Sequence, residues 1–99
     1  MLFLVTLTLS SYVKELDDTN FEHDTQASTG STTGDWFILF YAPWCGHCKK
    51  VKPIWEELAN ENHMSERPGK PIIGLVNCDD SSSTCERFSV RSYPTILFI

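Results

Sequence analysis

The sequence predicts a single α/β domain whose core strands run parallel, and three observations support this. Residues 36–42 and 72–76 are apolar almost throughout, without the alternation of a half-solvated strand, so they read as strands covered on both faces. Between them Val51, Ile54, Trp55, Leu58 and Ala59 recur at three- and four-residue intervals, the period of an amphipathic helix. Strand and helix patterns also alternate along the chain, the signature of a sheet flanked by helices. At 99 residues the chain holds one small domain, and 41% apolar residues suffice for its core.

The elements follow in order. Residues 2–9 form a short apolar run followed by Ser10 and Ser11, so residues 1–11 read as a secretory signal peptide and 12–99 as the domain. The run is much too short to span a bilayer. Residues 12–16 form a short first strand, and Asp17, Asp18, Thr19 and Asn20 offer N-caps for a weak first helix. Residues 25–34, nearly all polar or Gly, read as a solvated loop. Pro43 ends the strand 36–42, and a helix runs from Cys45 to about residue 62, kinked at Pro53. A turn at 67–71, the strand 72–76, a short helix 81–88 and a strand 95–99 complete the pattern. The last strand is cut at Ile99, so the chain reads as part of a longer protein.

Charge narrows the functional classes. A net charge of −5 without a basic patch argues against nucleic acid as partner. Lys49, Lys50 and Lys52 share one helical turn and are expected to face solvent. Four cysteines, an even number, suit a disulfide-permissive compartment.

The chemistry concentrates at Cys45-Gly46-His47-Cys48. Two cysteines separated by two residues serve zinc and redox sites alike, and here the context decides. A buried strand delivers the pair to the first turn of a helix, where unsatisfied N–H groups and the positive end of the helix dipole favour a thiolate. That setting lowers a thiol pKa and makes the reactive species available near neutral pH. Cys45, at the exposed tip, is the expected nucleophile. Cys48, one turn further in, is the expected buried thiol that resolves a mixed disulfide. A zinc site drawn from Cys45, Cys48, Cys78 and Cys85 needs the helix tip to meet the end of a strand, so no metal is expected.

Residues 36–50, with Trp44 leading into the cysteine pair, resemble the active-site segment of a catalytic domain of the protein disulfide isomerase family, within the thioredoxin superfamily. Val90-Arg91-Ser92-Tyr93-Pro94-Thr95 is similar to the second motif of that family. The resemblance implies a thioredoxin fold, a central mixed β-sheet flanked by helices, with the last strand and helix missing from this sequence. It implies a cis Pro94 beside the dithiol, and a Tyr93 backbone and Trp44 side chain that receive an extended peptide. It further implies that the His47 imidazolium stabilises the Cys45 thiolate and so favours oxidation and isomerisation, and that Cys78 and Cys85 form a structural disulfide. No cofactor beyond the dithiol is implied. The implied partners are unfolded or partly folded protein thiols and disulfides, with glutathione or an upstream oxidase, in the lumen of the endoplasmic reticulum. Two departures stand out. Where the family commonly buries an acid beneath the resolving thiol and a lysine opposite, this sequence places Leu39 and Leu75. Two other readings therefore stay open: a thioredoxin-like reductant, and a redox-weak chaperone or binding module.

Overall fold

A computed structural model describes residues 12–29 and 34–99. The signal peptide read into residues 1–11, and residues 30–33 of the expected loop, lie outside the described residues. Strands and helices alternate: β1 (Lys14–Leu16), α1 (Phe21–Thr25), β2 (Trp36–Tyr41), α2 (Gly46–Met64), β3 (Ile72–Asn77), α3 (Ser82–Arg87) and β4 (Thr95–Phe98). The strand order is β1-β3-β2-β4, with β3 parallel to both β1 and β2 and with β4 antiparallel to β2. The sheet is thus mixed around a parallel core. Ile99 continues the last pairing, because its N–H donates to the Trp36 carbonyl and the Trp36 N–H donates back, both at 2.8 Å.

The apolar runs are continuous because helices cover both faces of the sheet. Leu39, Ile73 and Leu75 pack with Trp55 and Ala59 on the α2 side. Leu16, Trp36, Ile38, Phe40 and Val76 point the other way and pack with Phe21 of α1 and Cys85 of α3. Neighbouring residues of one strand therefore reach opposite faces, as the two-residue period requires. Gly74 faces the second side, where a Cβ would stand only 3.2 Å from both Leu16 and Trp36 and 3.3 Å from Ile38. Its carbonyl accepts a buried hydrogen bond of 2.8 Å from the Trp55 indole N–H. One bond thereby ties α2 to the central strand.

The structure departs from the sequence pattern at four places. Thr25 closes α1 and is 1% exposed instead of opening a solvated loop, because it stands four residues after the buried Phe21 on the same helix face. Gln26 then ends the helix in the left-handed conformation (φ 53°), its N–H bonding to Glu22 O. In α2 the buried stripe is Cys48, Trp55 and Ala59, with Val51 packed against it, whereas Ile54 and Leu58 are exposed. Those two lie about one residue step, or roughly 100°, around the helix from the sheet-facing line. The helix also runs two residues beyond the expected end, through Pro53, to Met64. Tyr12 precedes β1 and stacks on His63, with ring centroids 3.7 Å apart.

α3 is held by a residue remote in sequence. Its N-cap Ser81 makes no side-chain cap bond, and the buried Ser81 Oγ has no hydrogen-bond partner among the described residues. Asp18 does the capping: its Oδ1 accepts from the Thr84 N–H at 2.8 Å and from the Thr84 hydroxyl at 2.7 Å. The two bonds tie the turn after β1 to the first turn of α3, and they hold the Asp18 carboxyl below the usual carboxylate range. A lowered folded pKa means that this stabilisation is present above the unfolded value, about 3.9, and fades as pH falls through the folded one. Asp18→Ala should therefore melt below the wild type at neutral pH, and the gap should narrow in acid. Thermal unfolding followed by circular dichroism across that pH range checks this, and a gap that does not depend on pH would contradict it.

Candidate active site

The site lies where β2 runs into α2. The strand ends at Tyr41, Ala42 is fully buried, and the Cys45 N–H bonds back to the Ala42 carbonyl at 3.1 Å. That turn sets Cys45 in the extended conformation as N-cap of α2, and its sulfur accepts from the Cys48 N–H at 3.3 Å. A thiolate at this position therefore meets amide groups that the helix cannot pair internally. Gly46 opens the helix with nothing within 4 Å of where a Cβ would stand. Backbone amides thus help to prepare the first thiol.

Both cysteines are free thiols, and both are buried. Cys45 is 8% exposed and Cys48 is 2%, so the expected order holds, but Cys45 is less open than a helix tip suggests. Tyr93 contributes to the cover: it packs against the cluster of Ala42, Cys45 and Cys48, and its carbonyl accepts from the Cys45 thiol at 3.5 Å. The Tyr93–Pro94 bond is cis. The indole of Trp44, 66% exposed, stands edge-on to the Tyr93 ring at 5.7 Å and donates to Asp79 Oδ1 at 3.2 Å. Trp44 and Tyr93 thus stand together beside Cys45, with the cis Pro94 next in the chain.

The two thiols are driven apart electrostatically. Cys45 is held below the ordinary thiol range, first by a hydrogen bond with the Cys48 thiol and then by the backbone N–H groups of Cys48 and His47, against the cost of burial. Cys48 is pushed up, first by burial and then by donating to Cys45. His47 is exposed, and its main-chain amide is one of the groups that favour the Cys45 thiolate. Leu39 and Leu75 are direct register partners, 0% and 3% exposed, and pack with Trp55 and Ala59 of α2. A cavity of about 370 Å3 opens beside the first turns of α2, lined by Cys48, Tyr41, Asn77, Lys49 and Lys52 among others. Lys52 is half-buried, with its ammonium 5.3 Å from the centre of the Tyr41 ring, in place of the solvent-facing position expected from sequence.

The second pair lies apart from the first. Cys78 follows β3 and Cys85 sits in α3, and they are bonded, with Cα atoms 5.8 Å apart. Both are buried on the α1–α3 side of the sheet. The structure does not bring the four cysteines together, and no cluster of three metal-ligating side chains occurs among the described residues.

The sequence of residues 12–99 matches the thioredoxin family. The chain belongs to the thioredoxin family. It is 48% identical over 87 residues to a thioredoxin domain-containing protein of Theileria parva, a match covering 83% of this chain and 35% of that protein. With protein disulfide-isomerase TMX3 of Xenopus laevis it shares 38% identity over 94 residues, covering 94% of this chain and 19% of that protein. The first thioredoxin domain of mouse protein disulfide-isomerase A4 superposes with a TM-score of 0.71 at 29% identity, over 86% of this chain and 56% of the other. The chain thus spans about a third or less of the length of these curated relatives. A thioredoxin domain with relatives so named indicates thiol–disulfide oxidoreductase chemistry.

Two separated thiol environments give a measurable expectation. Because only the thiolate reacts, the iodoacetamide rate of Cys45 should rise with a midpoint below that of an ordinary thiol, about 8.5, and that of Cys48 above it. Removing the largest stabiliser with Cys48→Ala should move the Cys45 midpoint up. Mass-spectrometric alkylation rates across pH check both, and an unmoved Cys45 midpoint in Cys48→Ala would contradict the hydrogen-bond assignment.

Proposed function

We propose that this domain forms and rearranges disulfides in folding proteins of the secretory pathway, in the lumen of the endoplasmic reticulum, through Cys45 and Cys48. The observation that carries the reading is the Cys45 sulfur at the N-terminus of α2, bonded to the Cys48 N–H and facing the Tyr93 carbonyl. In the first step the Cys45 thiolate attacks one sulfur of a substrate disulfide. A mixed disulfide forms, and the other substrate sulfur leaves as a thiolate that takes up a proton. Cys48 then loses its proton and attacks the Cys45 sulfur. The Cys45–substrate bond breaks, the second substrate thiol is released, and the Cys45–Cys48 disulfide remains. Substrate disulfide has been reduced and the domain dithiol oxidised by the same two electrons. Run in reverse, the cycle oxidises a substrate dithiol, after which glutathione or an upstream oxidase resets the domain. Cys45 and Cys48 are the reacting groups, and Gly46 and His47 shape the turn between them.

The exposed Trp44, and the Tyr93 and Pro94 segment beside Cys45, suit a substrate that binds as an extended chain through main-chain bonds, with little demand on sequence. Location in the secretory pathway is supported by the apolar run at residues 2–9 and by the bonded Cys78–Cys85 pair, which persists in an oxidising compartment. In this reading Cys78–Cys85 is structural, fastening the end of β3 to α3. Refolding of a reduced client protein containing several disulfides should be accelerated by the chain in a glutathione buffer. Cys45→Ser should fall to the uncatalysed rate, and Cys48→Ser should accumulate a covalent client complex on Cys45. Acceleration retained by Cys45→Ser would favour a binding module acting through Trp44.

A further inference from the structure

Resolution asks Cys48 to lose a proton in a place that resists ionisation. Its thiol is 2% exposed, and burial pushes it up. Leu39 and Leu75, paired across the register of β2 and β3, put no ionisable side chain at those two buried positions. The way out for the proton is the cavity of about 370 Å3 that Cys48 lines. The charged groups on that cavity are Lys49 and Lys52 of α2. β2 contributes the Tyr41 phenol, β3 the uncharged Asn77, and the loop before β4 places Tyr93 against the cysteines. Glu15, Asp17 and Asp80 line a neighbouring cavity that shares Tyr41 and Asn77.

Lys52 differs from Lys49 in being held. It follows Cys48 by four residues, so the two side chains are neighbours on one helix face. Its ammonium lies over the Tyr41 ring at 5.3 Å, an attraction that keeps a long side chain from extending into solvent. Tyr41 in turn packs against the cluster of Ala42, Cys45 and Cys48. We propose that Lys52, steered by Tyr41, is a positioning residue for the resolving step, its positive charge favouring the Cys48 thiolate in the cavity that a buried carboxylate does not serve. The proton leaves Cys48 for water in the cavity, the thiolate attacks the Cys45 sulfur, and the substrate thiolate departs with the electron pair of the broken bond. The inference rests on the dithiol reading above.

The test uses a reagent that separates the two steps. Dithiobis-nitrobenzoate releases one coloured thiolate when Cys45 attacks it and a second when Cys48 resolves the mixed disulfide. Rapid-mixing absorbance on the full chain, mildly reduced so that Cys78–Cys85 stays closed, gives the pH profile of each phase. An opposite charge nearby lowers an acid's pKa by about 1–3 units, and one unit changes the thiolate fraction about tenfold below the pKa. Lys52→Met and Lys52→Gln should therefore slow the second phase about tenfold at neutral pH and raise its midpoint by about one unit, with Lys52→Arg near the wild type. A second phase unchanged in rate and midpoint in Lys52→Met and Lys52→Gln would overturn the assignment. So would equal slowing by Lys52→Arg, which would make the effect one of shape. An absent first phase in the wild type would overturn the dithiol reading, and this inference with it.

Discussion

The attachment of α2 to β3 is the constraint on which the rest of the site depends. The Trp55 indole N–H donates to the Gly74 carbonyl inside the core, at 2.8 Å, and Leu39, Ile73 and Leu75 pack around it. A buried bond of this kind is worth only about 1 kcal/mol net, yet leaving its acceptor unpaired in an apolar core costs about 1–3. It therefore fixes the orientation of α2 more strongly than its net contribution suggests. The N-terminus of that helix carries Cys45 and Cys48, and its first turn supplies the amides that meet the thiolate. A change in the angle of α2 would move the nucleophile, its amide donors and the Tyr93 carbonyl relative to one another.

The site works with backbone groups above and hydrocarbon below. Cys45 draws its acidity from Cys48 and from main-chain N–H groups, which need no desolvated counter-charge. The Leu39–Leu75 pair avoids the penalty of burying ions, which for an ion pair often exceeds the attraction gained. Burial, and the hydrogen bond it donates to Cys45, leave Cys48 reluctant to ionise. The two thiols of the site thus differ in how readily they ionise.

Most of this was legible in the sequence where a local rule governs. Two continuous apolar runs became the central strands, and the Cys-Gly-His-Cys segment fell at a helix start because Pro43 ends one element and the N-cap begins the next. The apolar pairing of Leu39 with Leu75 was readable as well, and their register is direct. What stayed hidden depends on contacts distant in the chain. Nothing near Ser81 announces that Asp18 caps α3, because the two are joined only by the fold. A residue as polar as Thr25 signals a loop until Phe21 is seen to carry it into the core. Helical spacing admitted Ile54 and Leu58 to the buried stripe, since it cannot tell which side of a broad apolar face meets the sheet. Lys52 read as a solvated charge, and only the Tyr41 ring reveals otherwise.

The central claim is that the chain holds two cysteine pairs of different kinds, one exchangeable and one structural. Equilibration in glutathione buffers of graded potential, acid quenching and mass mapping of each pair test it directly. The account predicts that Cys45–Cys48 passes from disulfide to dithiol across the range of folding-compartment buffers, while Cys78–Cys85 stays bonded throughout. Opening of both pairs over the same range, or a Cys45–Cys48 disulfide that never forms, would contradict it.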